Sequence, residues 1–255
     1  MAIYLKKFET TAAYEAAQPS LILPNVSLTV DNNTVHYNPS TPVPPTPSHD
    51  YVEIGGIKWA TMNIGANSIT DYGLYFQWGD TQGYTADQVG SGEGQKYFGW
   101  ADYKYGNGTS SPGATGMTKY NSTDGKTVLD IDDDAVRVNW GGEWRMPTVS
   151  EIQSLGAATT SAWTSDYEGS GVAGLVLTSK ADSSKVLFFP ANGTCYNESV
   201  YDVGSLGSYW SSSLETSDVP YAYGMSLNSS KVNWKRSHFR YFGKAVRGIL
   251  DDSNN

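Results

Sequence analysis

The segment from residue 209 to residue 250 concentrates the side chains best suited to recognise another molecule. Between Tyr209-Trp210 and Val246-Arg247, large aromatic residues stand among Arg, His, Lys and small polar residues. Such side chains are favoured at binding surfaces because they bury much area while few rotatable bonds become fixed. A core face would be aliphatic, and a solvated face would be rich in Lys and Glu. We therefore predict a binding surface on a rigid scaffold.

The candidate binding residues lie between the two ends of this segment and are expected to point outward together, as one patch. They are Ser217, Asp218, Pro220, Tyr221, Tyr223, Gly224, Ser226, Lys231, Lys235, Arg236, Ser237, His238, Phe239, Tyr241 and Phe242. An ordinary hairpin tip is the alternative interpretation of residues 236–242.

A second group of residues is expected to hold the backbone beneath this patch. It consists of Trp144, Arg145, Trp210, Val246 and Arg247. Two residues are left open between the groups. Trp234 suits a core and a surface equally, and Arg240 suits either a contact residue or a scaffold residue that pairs with an acid.

Residues for catalysis are sparse. A Ser-His-acid triad would need His238 as its base, and this residue lies within the candidate binding segment. No pair of carboxylates is marked out for glycoside hydrolysis. Cys195 is the one cysteine, which excludes a disulfide within the chain and a cysteine-cluster metal site, and a buried unreactive thiol is expected there. We predict no catalytic residues and no enzyme.

No metal site and no cofactor are predicted, with one alternative. Asp130, Asp132, Asp133 and Asp134 form an acidic run whose oxygens would suit calcium. The run lacks the spacing of an EF-hand, so a solvated turn is favoured. His36 is expected on a strand face and His49 in solvent, and neither has a second histidine or cysteine at ligand spacing.

The composition of the chain limits which classes of partner are expected. The 255 residues carry a formal net charge of -9, which argues against a nucleic-acid groove. The 27 Gly, 8 Trp, 18 Tyr and 7 Phe favour many short strands and turns. No stretch approaches the roughly 20 apolar residues that span a bilayer. Residues 1–9 lack the apolar run of a signal peptide, so we expect no leader and no membrane partner.

The chain divides by composition into three parts. Residues 1–38 contain a plausible short helix over 8–17 and a hairpin signal over 26–37 around Asp31-Asn32-Asn33. This unit is too small to bury a core alone, so an attachment or oligomerisation module is expected. Residues 39–49 hold five prolines and predict an extended linker.

Residues 50–255 are predicted to form the main domain, with short antiparallel strands and few helices. A hairpin is expected around Gly55-Gly56, an aromatic strand over 73–80 and a long loop over 81–126. The clearest helix begins at Thr148, has Glu151 in a capping box and is expected to end at Gly156. Further strands are predicted at 175–177, 186–190, 209–210, 222–227, 231–234 and 244–250.

Several phrases along the main domain carry a resemblance to a known family. They are Trp59-Ala60-Thr61-Met62-Asn63-Ile64-Gly65-Ala66, Tyr75-Phe76-Gln77-Trp78-Gly79-Asp80, Trp140-Gly141-Gly142-Glu143-Trp144-Arg145-Met146-Pro147-Thr148, Phe189-Pro190-Ala191-Asn192-Gly193, Tyr209-Trp210-Ser211-Ser212 and Val246-Arg247. Over residues 50–250 the chain resembles the Fibrobacter-succinogenes-type major paralogous domain. That family belongs to the formylglycine-generating-enzyme-like C-type lectin folds of gut bacteria and their phages. The resemblance implies an α+β C-type lectin fold.

A narrower resemblance is to the variable proteins of diversity-generating retroelements, which use this fold. Their C-terminal repeat, here about 209–250, is diversified when AAC codons become NNC. Most of the candidate binding residues belong to the set that NNC encodes, whereas Lys231 and Lys235 do not. The enzymes of the same fold rely on two cysteines, and only Cys195 is present. The paired calcium motifs of sugar-binding C-type lectins are absent.

Residues 1–38 also resemble the N-terminal portion of Bacteroides-phage receptor-binding proteins. The resemblance implies a virion protein that binds a host cell-surface protein or glycan. Its first module would attach to the virion or to sister chains. A homotrimer is possible, as trimers are common among phage fibres. Two alternatives stay open. One is a bacterial surface adhesion protein of fixed sequence, and the other is an enzyme related to the formylglycine-generating enzymes.

Overall fold

A computed structural model describes residues 27–30, 33–36, 49–109 and 112–251. The chain forms two compact units, residues 1–48 and 49–255. In the first unit, β1 (Ser27–Val30) pairs antiparallel with β2 (Asn33–His36), which gives the hairpin that the sequence predicts. The helix predicted over 8–17 lies outside the described residues.

The second unit is a mixed α+β structure in which short antiparallel strands predominate. Its helices are α1 (Ala135–Trp140) and α2 (Val149–Ala158). Its strands are β3 (Tyr51–Ile54), β4 (Ile57–Asn63), β5 (Trp144–Arg145), β6 (Thr159–Thr164), β7 (Gly174–Ser179), β8 (Val186–Pro190), β9 (Thr194–Tyr196), β10 (Ser199–Tyr201), β11 (Gly207–Leu214), β12 (Tyr221–Leu227), β13 (Val232–Phe239) and β14 (Arg247–Leu250). Among the described residues, no helix has the length and apolar character that crossing a bilayer requires.

The strands of this unit form separate small sheets. Their orders are β3-β4-β14-β5, β6-β7-β8, β11-β12-β13 and β10-β9, and every named pair is antiparallel. The last strand, β14, lies between β4 and β5, so the two ends of the unit meet in one sheet. This pairing fixes the position where the chain leaves the candidate binding segment.

Two hydrophobic clusters meet at strand β11. Its neighbouring residues Tyr209 and Trp210 belong to different clusters, as expected when successive side chains of a strand point to opposite faces. Trp210 packs with Trp78 and Trp144, whereas Tyr209 packs with Leu155. The sheet β11-β12-β13 is therefore packed on both faces over part of its length.

The aromatic strand predicted over 73–80 is not formed. Tyr75 and Phe76 make isolated bridges to Tyr84 and Lys244, but no ladder follows. Gly73 and Gly79 have φ of 71° and 80°, values that interrupt an extended strand at both ends of this stretch.

Helix α2 begins as predicted but ends later. Thr148 caps it, and Glu151 closes the capping box. Gly156 does not end the helix, which continues to Ala158. A Cβ at residue 156 would lie 2.6 Å from atoms of the Trp234 ring, so glycine is needed here for close packing and not for a turn. Trp234 thereby belongs to the core.

His49 is not the solvated linker residue that the sequence predicts. It belongs to the second unit, is half-buried and stacks on Trp140 with ring centroids 4.0 Å apart. Burial lowers the pKa of His49 below its ordinary value, although Asp50 opposes this shift.

Gly156→Ala tests the packing role of Gly156. Alanine favours a helix by about 1 kcal/mol over glycine, yet overpacking against Trp234 should win and lower the free energy of unfolding by about 1–3 kcal/mol. Urea denaturation measures the change. Ser154→Ala, at an exposed position of the same helix, is the control and should be neutral or slightly stabilising. A stabilised Gly156→Ala protein would contradict the packing role.

Candidate binding surface

The hairpin of β12 and β13 carries most of the candidate binding residues and divides them between two faces. Tyr221 pairs with Phe239 and Tyr223 pairs with Ser237, so these four side chains share one face. We call it the outer face. Tyr221 and Phe239 stack there with ring centroids 4.3 Å apart. The alternate pairs put Gly224, Arg236 and His238 on the opposite face.

The expectation of one outward patch is therefore wrong in part. Pro220, Gly224 and Ser226 are buried and offer no side chain to a partner. A Cβ at Gly224 would lie 2.2 Å from the carbonyl oxygen of Tyr209 on β11, so no other residue fits there without displacement. His238 is only partly exposed, and its side chain lies on the face of the hairpin opposite to that of Phe239. The alternation of the strand separates these residues, which sequence spacing alone did not take into account.

The two turns of this sheet separate the remaining candidates. Ser217 and Asp218 are exposed in the turn between β11 and β12. Lys231 is exposed in the turn between β12 and β13, at the other end of these strands. Strand β12 has seven residues and spans roughly 20 Å, so Lys231 is remote from Tyr221.

An aromatic cluster forms at the end of the hairpin that carries Tyr221 and Phe239. Its six members are partly exposed, and each ring contacts at least one other ring of the cluster. They are Trp100, Tyr196, Tyr221, Phe239, Tyr241 and Phe242. Centroid distances are 4.7 Å for Trp100 to Tyr241, 5.6 Å for Phe239 to Tyr241 and 4.9 Å for Tyr241 to Phe242. Tyr196 stacks on Phe242 at 5.6 Å. These contacts join side chains from three parts of the chain into one surface.

Trp100 and Tyr196 were missed by the sequence reasoning. Trp100 opens a short 3₁₀ turn, Trp100–Asp102, and Tyr196 ends β9. The density of aromatic residues in Tyr97-Phe98-Gly99-Trp100 was a signal within the predicted loop. Nothing in the sequence indicated that this loop reaches the C-terminal hairpin.

Arg240 is buried beneath the aromatic cluster and anchors the backbone between Phe239 and Tyr241. Its side chain is fully buried, and its guanidinium donates to the carbonyl oxygens of Val219 (3.1 Å), Lys119 (3.1 Å) and Tyr120 (2.8 Å). It lies 5.1 Å over the Trp78 ring. Its neighbours Phe239 and Tyr241 remain partly exposed at the surface. Arg240 is thus a scaffold residue, and its hydrogen-bond acceptors are backbone oxygens and not an acid.

The acidic run is a solvated turn only in part, because Asp132 is exposed whereas Asp133 and Asp134 are buried. Asp133 holds the loop that carries Lys119 and Tyr120. Asp133 is buried and accepts from Lys104 (3.0 Å), Lys119 (2.5 Å) and the Tyr120 hydroxyl (2.6 Å). Burial alone would raise the pKa of Asp133, but these hydrogen bonds lower it far below its ordinary value. Asp134 is buried and caps α1, a helix that the sequence reasoning missed. Across the described residues, no group of three or more His, Cys, Asp or Glu is placed to hold a metal ion.

The residues assigned to the scaffold lie beneath the surface. Trp144, Trp210, Val246 and Arg247 are buried. Arg247 donates to Asn63 (2.8 Å) and to the carbonyl oxygens of Ala60, Thr61 and Phe188, and burial lowers its pKa to about 10. Arg145 is half-buried between Glu151 (2.6 Å) and Asp251 (2.8 Å).

The outer face also has polar contacts. The ammonium of Lys235 lies 4.5 Å over the Tyr223 ring, and the Tyr223 hydroxyl hydrogen-bonds Glu215. Partial burial and this carboxylate raise the pKa of Tyr223 to about 12, so the hydroxyl stays protonated. A partner would meet aromatic rings, hydroxyls and a lysine side by side.

Ser226 and His238 form a contact that could suggest nucleophilic chemistry. Ser226 Oγ lies 3.1 Å from His238 Nε2. However, Ser226 is 6 % exposed, and the charged groups that act on His238 are the cations Lys244 and Arg236. A triad needs a carboxylate that orients the base and a nucleophile that a substrate can reach. The pair therefore orients His238 within the sheet.

Comparison of the chain with protein-family models, with curated proteins and with solved structures gives no match. Its function must follow from the residues and the geometry described above.

Arg240→Met should lower the free energy of unfolding by about 3–5 kcal/mol, because the carbonyl oxygens that accept from Arg240 lose a buried charged donor. Urea denaturation followed by tryptophan fluorescence measures the loss. Arg236→Met changes an exposed arginine of β13, the strand that ends just before Arg240, and should stay within about 0.5 kcal/mol of the unchanged protein. Equal effects of the two substitutions would show that Arg240 is not an anchor.

His238 should make stability depend on pH. Burial, then the charges of Lys244 and Arg236, lower its pKa well below the ordinary value. As pH falls through about 6.5, the unfolded chain takes up a proton that the folded chain does not, so stability decreases. Between pH 7 and pH 5 the unchanged protein should lose up to about 2 kcal/mol more than His238→Gln. If urea denaturation shows the same loss of stability for the unchanged protein and for His238→Gln, His238 is exposed to water in the folded protein.

Proposed function

We propose that the chain is a non-catalytic receptor-binding protein of the C-type lectin fold, whose aromatic cluster and outer face grip a host cell-surface molecule. The single observation that carries this proposal is the aromatic cluster itself. Clustered, partly exposed rings are costly in water unless a partner covers them, and such rings are typical anchors of binding sites.

The fold supports the proposal at the level of architecture. Short antiparallel strands, few helices and many Gly and aromatic residues are what the resemblance to the C-type lectin variable proteins implies. The sheet β3-β4-β14-β5 closes the domain on its first and last strands. The binding segment between β11 and β14 is thus held at both ends.

The division of the hairpin into two faces suits a diversified protein. Tyr221, Tyr223, Ser237 and Phe239 belong to the set that NNC codons encode and lie on the outer face. Ser237 is exposed and the three rings are partly exposed. Exposed substitutions usually change stability by no more than about 0.5 kcal/mol, so we expect these positions to vary while the fold persists. Arg240 and Trp210 beneath them are not part of that variation.

The proposed setting is a phage virion. Residues 1–38, which include the β1–β2 hairpin, would attach the protein to the virion or to sister chains. This part of the proposal rests on the resemblance of residues 1–38.

A cell-binding assay tests the function. Fluorescently labelled full-length protein is mixed with a panel of gut bacterial strains, Bacteroides among them, and bound fluorescence is measured by flow cytometry. We expect binding to a subset of strains and a loss of about tenfold or more for the double variant Phe239→Ala, Tyr241→Ala, because aromatic anchors carry most of the binding energy.

The control for this assay is Tyr51→Ala, which removes an exposed tyrosine (46 % exposed) from a different sheet. It should bind like the unchanged protein. If the double variant binds every strain as well as the unchanged protein does, the aromatic cluster is not the receptor site.

A further inference from the structure

A second feature lies on the opposite face of the hairpin, where Lys244 is fully buried beside Trp210. Its ammonium lies 4.6 Å over the Trp210 ring, and its Nζ has no hydrogen-bond partner among the described residues. The exposed fraction of Lys244 is 0 %. A buried cation without a partner is costly, and such groups in folded proteins are normally paired.

Two more basic side chains accompany Lys244, and no acid offsets them. His238 contacts the edge of the same Trp210 ring with centroids 6.2 Å apart. Arg236, on the same face as His238, is exposed. Burial and the charge of Arg236 lower the pKa of Lys244 well below its ordinary value, and the groups that act on Lys244 and His238 include no carboxylate. These three basic side chains lie together in a chain whose net charge is -9.

Arg236 is exposed and His238 is partly exposed at the border of the aromatic cluster, whereas Lys244 is buried behind them. Strand β13 is an outer strand in the order β11-β12-β13, and its residues 235–237 are exposed. The His238 ring lies 6.3 Å from Phe242, which belongs to the aromatic cluster. A ligand that lies on Phe242 and Tyr241 can therefore present a charged group toward Arg236 and His238, with Lys244 behind them.

We infer that Arg236, His238 and Lys244 form a subsite for the carboxylate of an acidic sugar, and that the aromatic cluster binds the sugar ring. This inference rests on the proposed function and names the chemistry of its ligand. Arg236 supplies a planar pair of donors at the entrance, as carboxylates require. Lys244 supplies a buried amine without a partner, and a carboxylate bound nearby would favour its protonated form.

The aromatic cluster favours a sugar over an acidic peptide as the carrier of the carboxylate. Flat rings with polar tips match a pyranose, which has a face of C–H groups and a rim of hydroxyls. The Tyr241 and Tyr196 hydroxyls belong to the cluster, and Tyr97 donates to Asn197 close to it (3.1 Å). An uronic acid polymer combines both requirements, ring faces and carboxylates, at every residue.

The test compares three probes by isothermal titration calorimetry with the full-length protein: a galacturonic acid tetrasaccharide, its methyl ester and a pentaglutamate peptide. The two sugars share the same ring skeleton and differ at the carboxyl groups, where methyl esters replace the charged carboxylates. We expect the acid form to bind about tenfold or more tightly than the methyl ester, as one charge-assisted pair provides. Pentaglutamate is expected to bind more weakly than the acid sugar.

Variants then assign the charge effect to the subsite. Arg236→Gln and Lys244→Met should each remove the preference for the acid form, whereas Lys231→Gln, at the far end of the hairpin, should keep it. Arg236 is exposed, so its variant remains informative if Lys244→Met does not fold. Equal binding of the acid and its ester, absence of binding to either sugar, or tighter binding of pentaglutamate would each overturn the inference.

These outcomes separate the subsite from the proposed function. If the aromatic double variant loses binding to cells while the acid tetrasaccharide does not bind, the carboxylate subsite alone is wrong. If neither cells nor sugars respond to the aromatic substitutions, both proposals fail.

Discussion

The candidate binding surface depends on one buried interaction, that of the Arg240 guanidinium with three backbone carbonyl oxygens. Those oxygens belong to Val219, Lys119 and Tyr120, so a single side chain joins the end of β13 to the β11–β12 turn and to the loop that Asp133 holds. Burial lowers the pKa of Arg240, which indicates that these contacts offset a real cost of desolvation. Because the acceptors are backbone oxygens, the contact does not depend on which side chains the turn and the loop carry.

Arg247 makes contacts of the same kind seven residues further along the candidate binding segment. It donates to the carbonyl oxygens of Ala60, Thr61 and Phe188 and to the side chain of Asn63, and it faces the Phe189 ring at 4.4 Å. Two arginines that bind mainly to backbone thus hold the C-terminal part of the segment. A scaffold of this kind tolerates change at its surface, since its stabilising contacts are made by residues that no partner touches. This physical property is what a diversified binding protein requires.

The sequence predicted those features that depend on neighbouring residues. The capping box of Thr148 and Glu151, the turn at Gly55-Gly56 and the buried strands at 175–177 and 186–190 are local signals, and the structure has them. The misses depend on contacts between distant segments. Gly156 contacts Trp234, and the pairing of β12 with β13 places His238 and Phe239 on opposite faces of the hairpin. Spacing along the chain named Tyr221 and Phe239, but it could not bring Trp100 and Tyr196 beside them.

The central claim is that an invariant framework carries an outward surface open to change. The most direct measurement is saturation mutagenesis of residues 217–247 on a displayed full-length chain, with resistance to protease as the readout of folding. The account predicts that Tyr221, Tyr223, Ser237 and Phe239 accept most residues, while Ala222, Gly224, Arg240 and Arg247 accept few. If the outer-face positions prove as intolerant as the buried ones, this segment is a core and the claim is wrong.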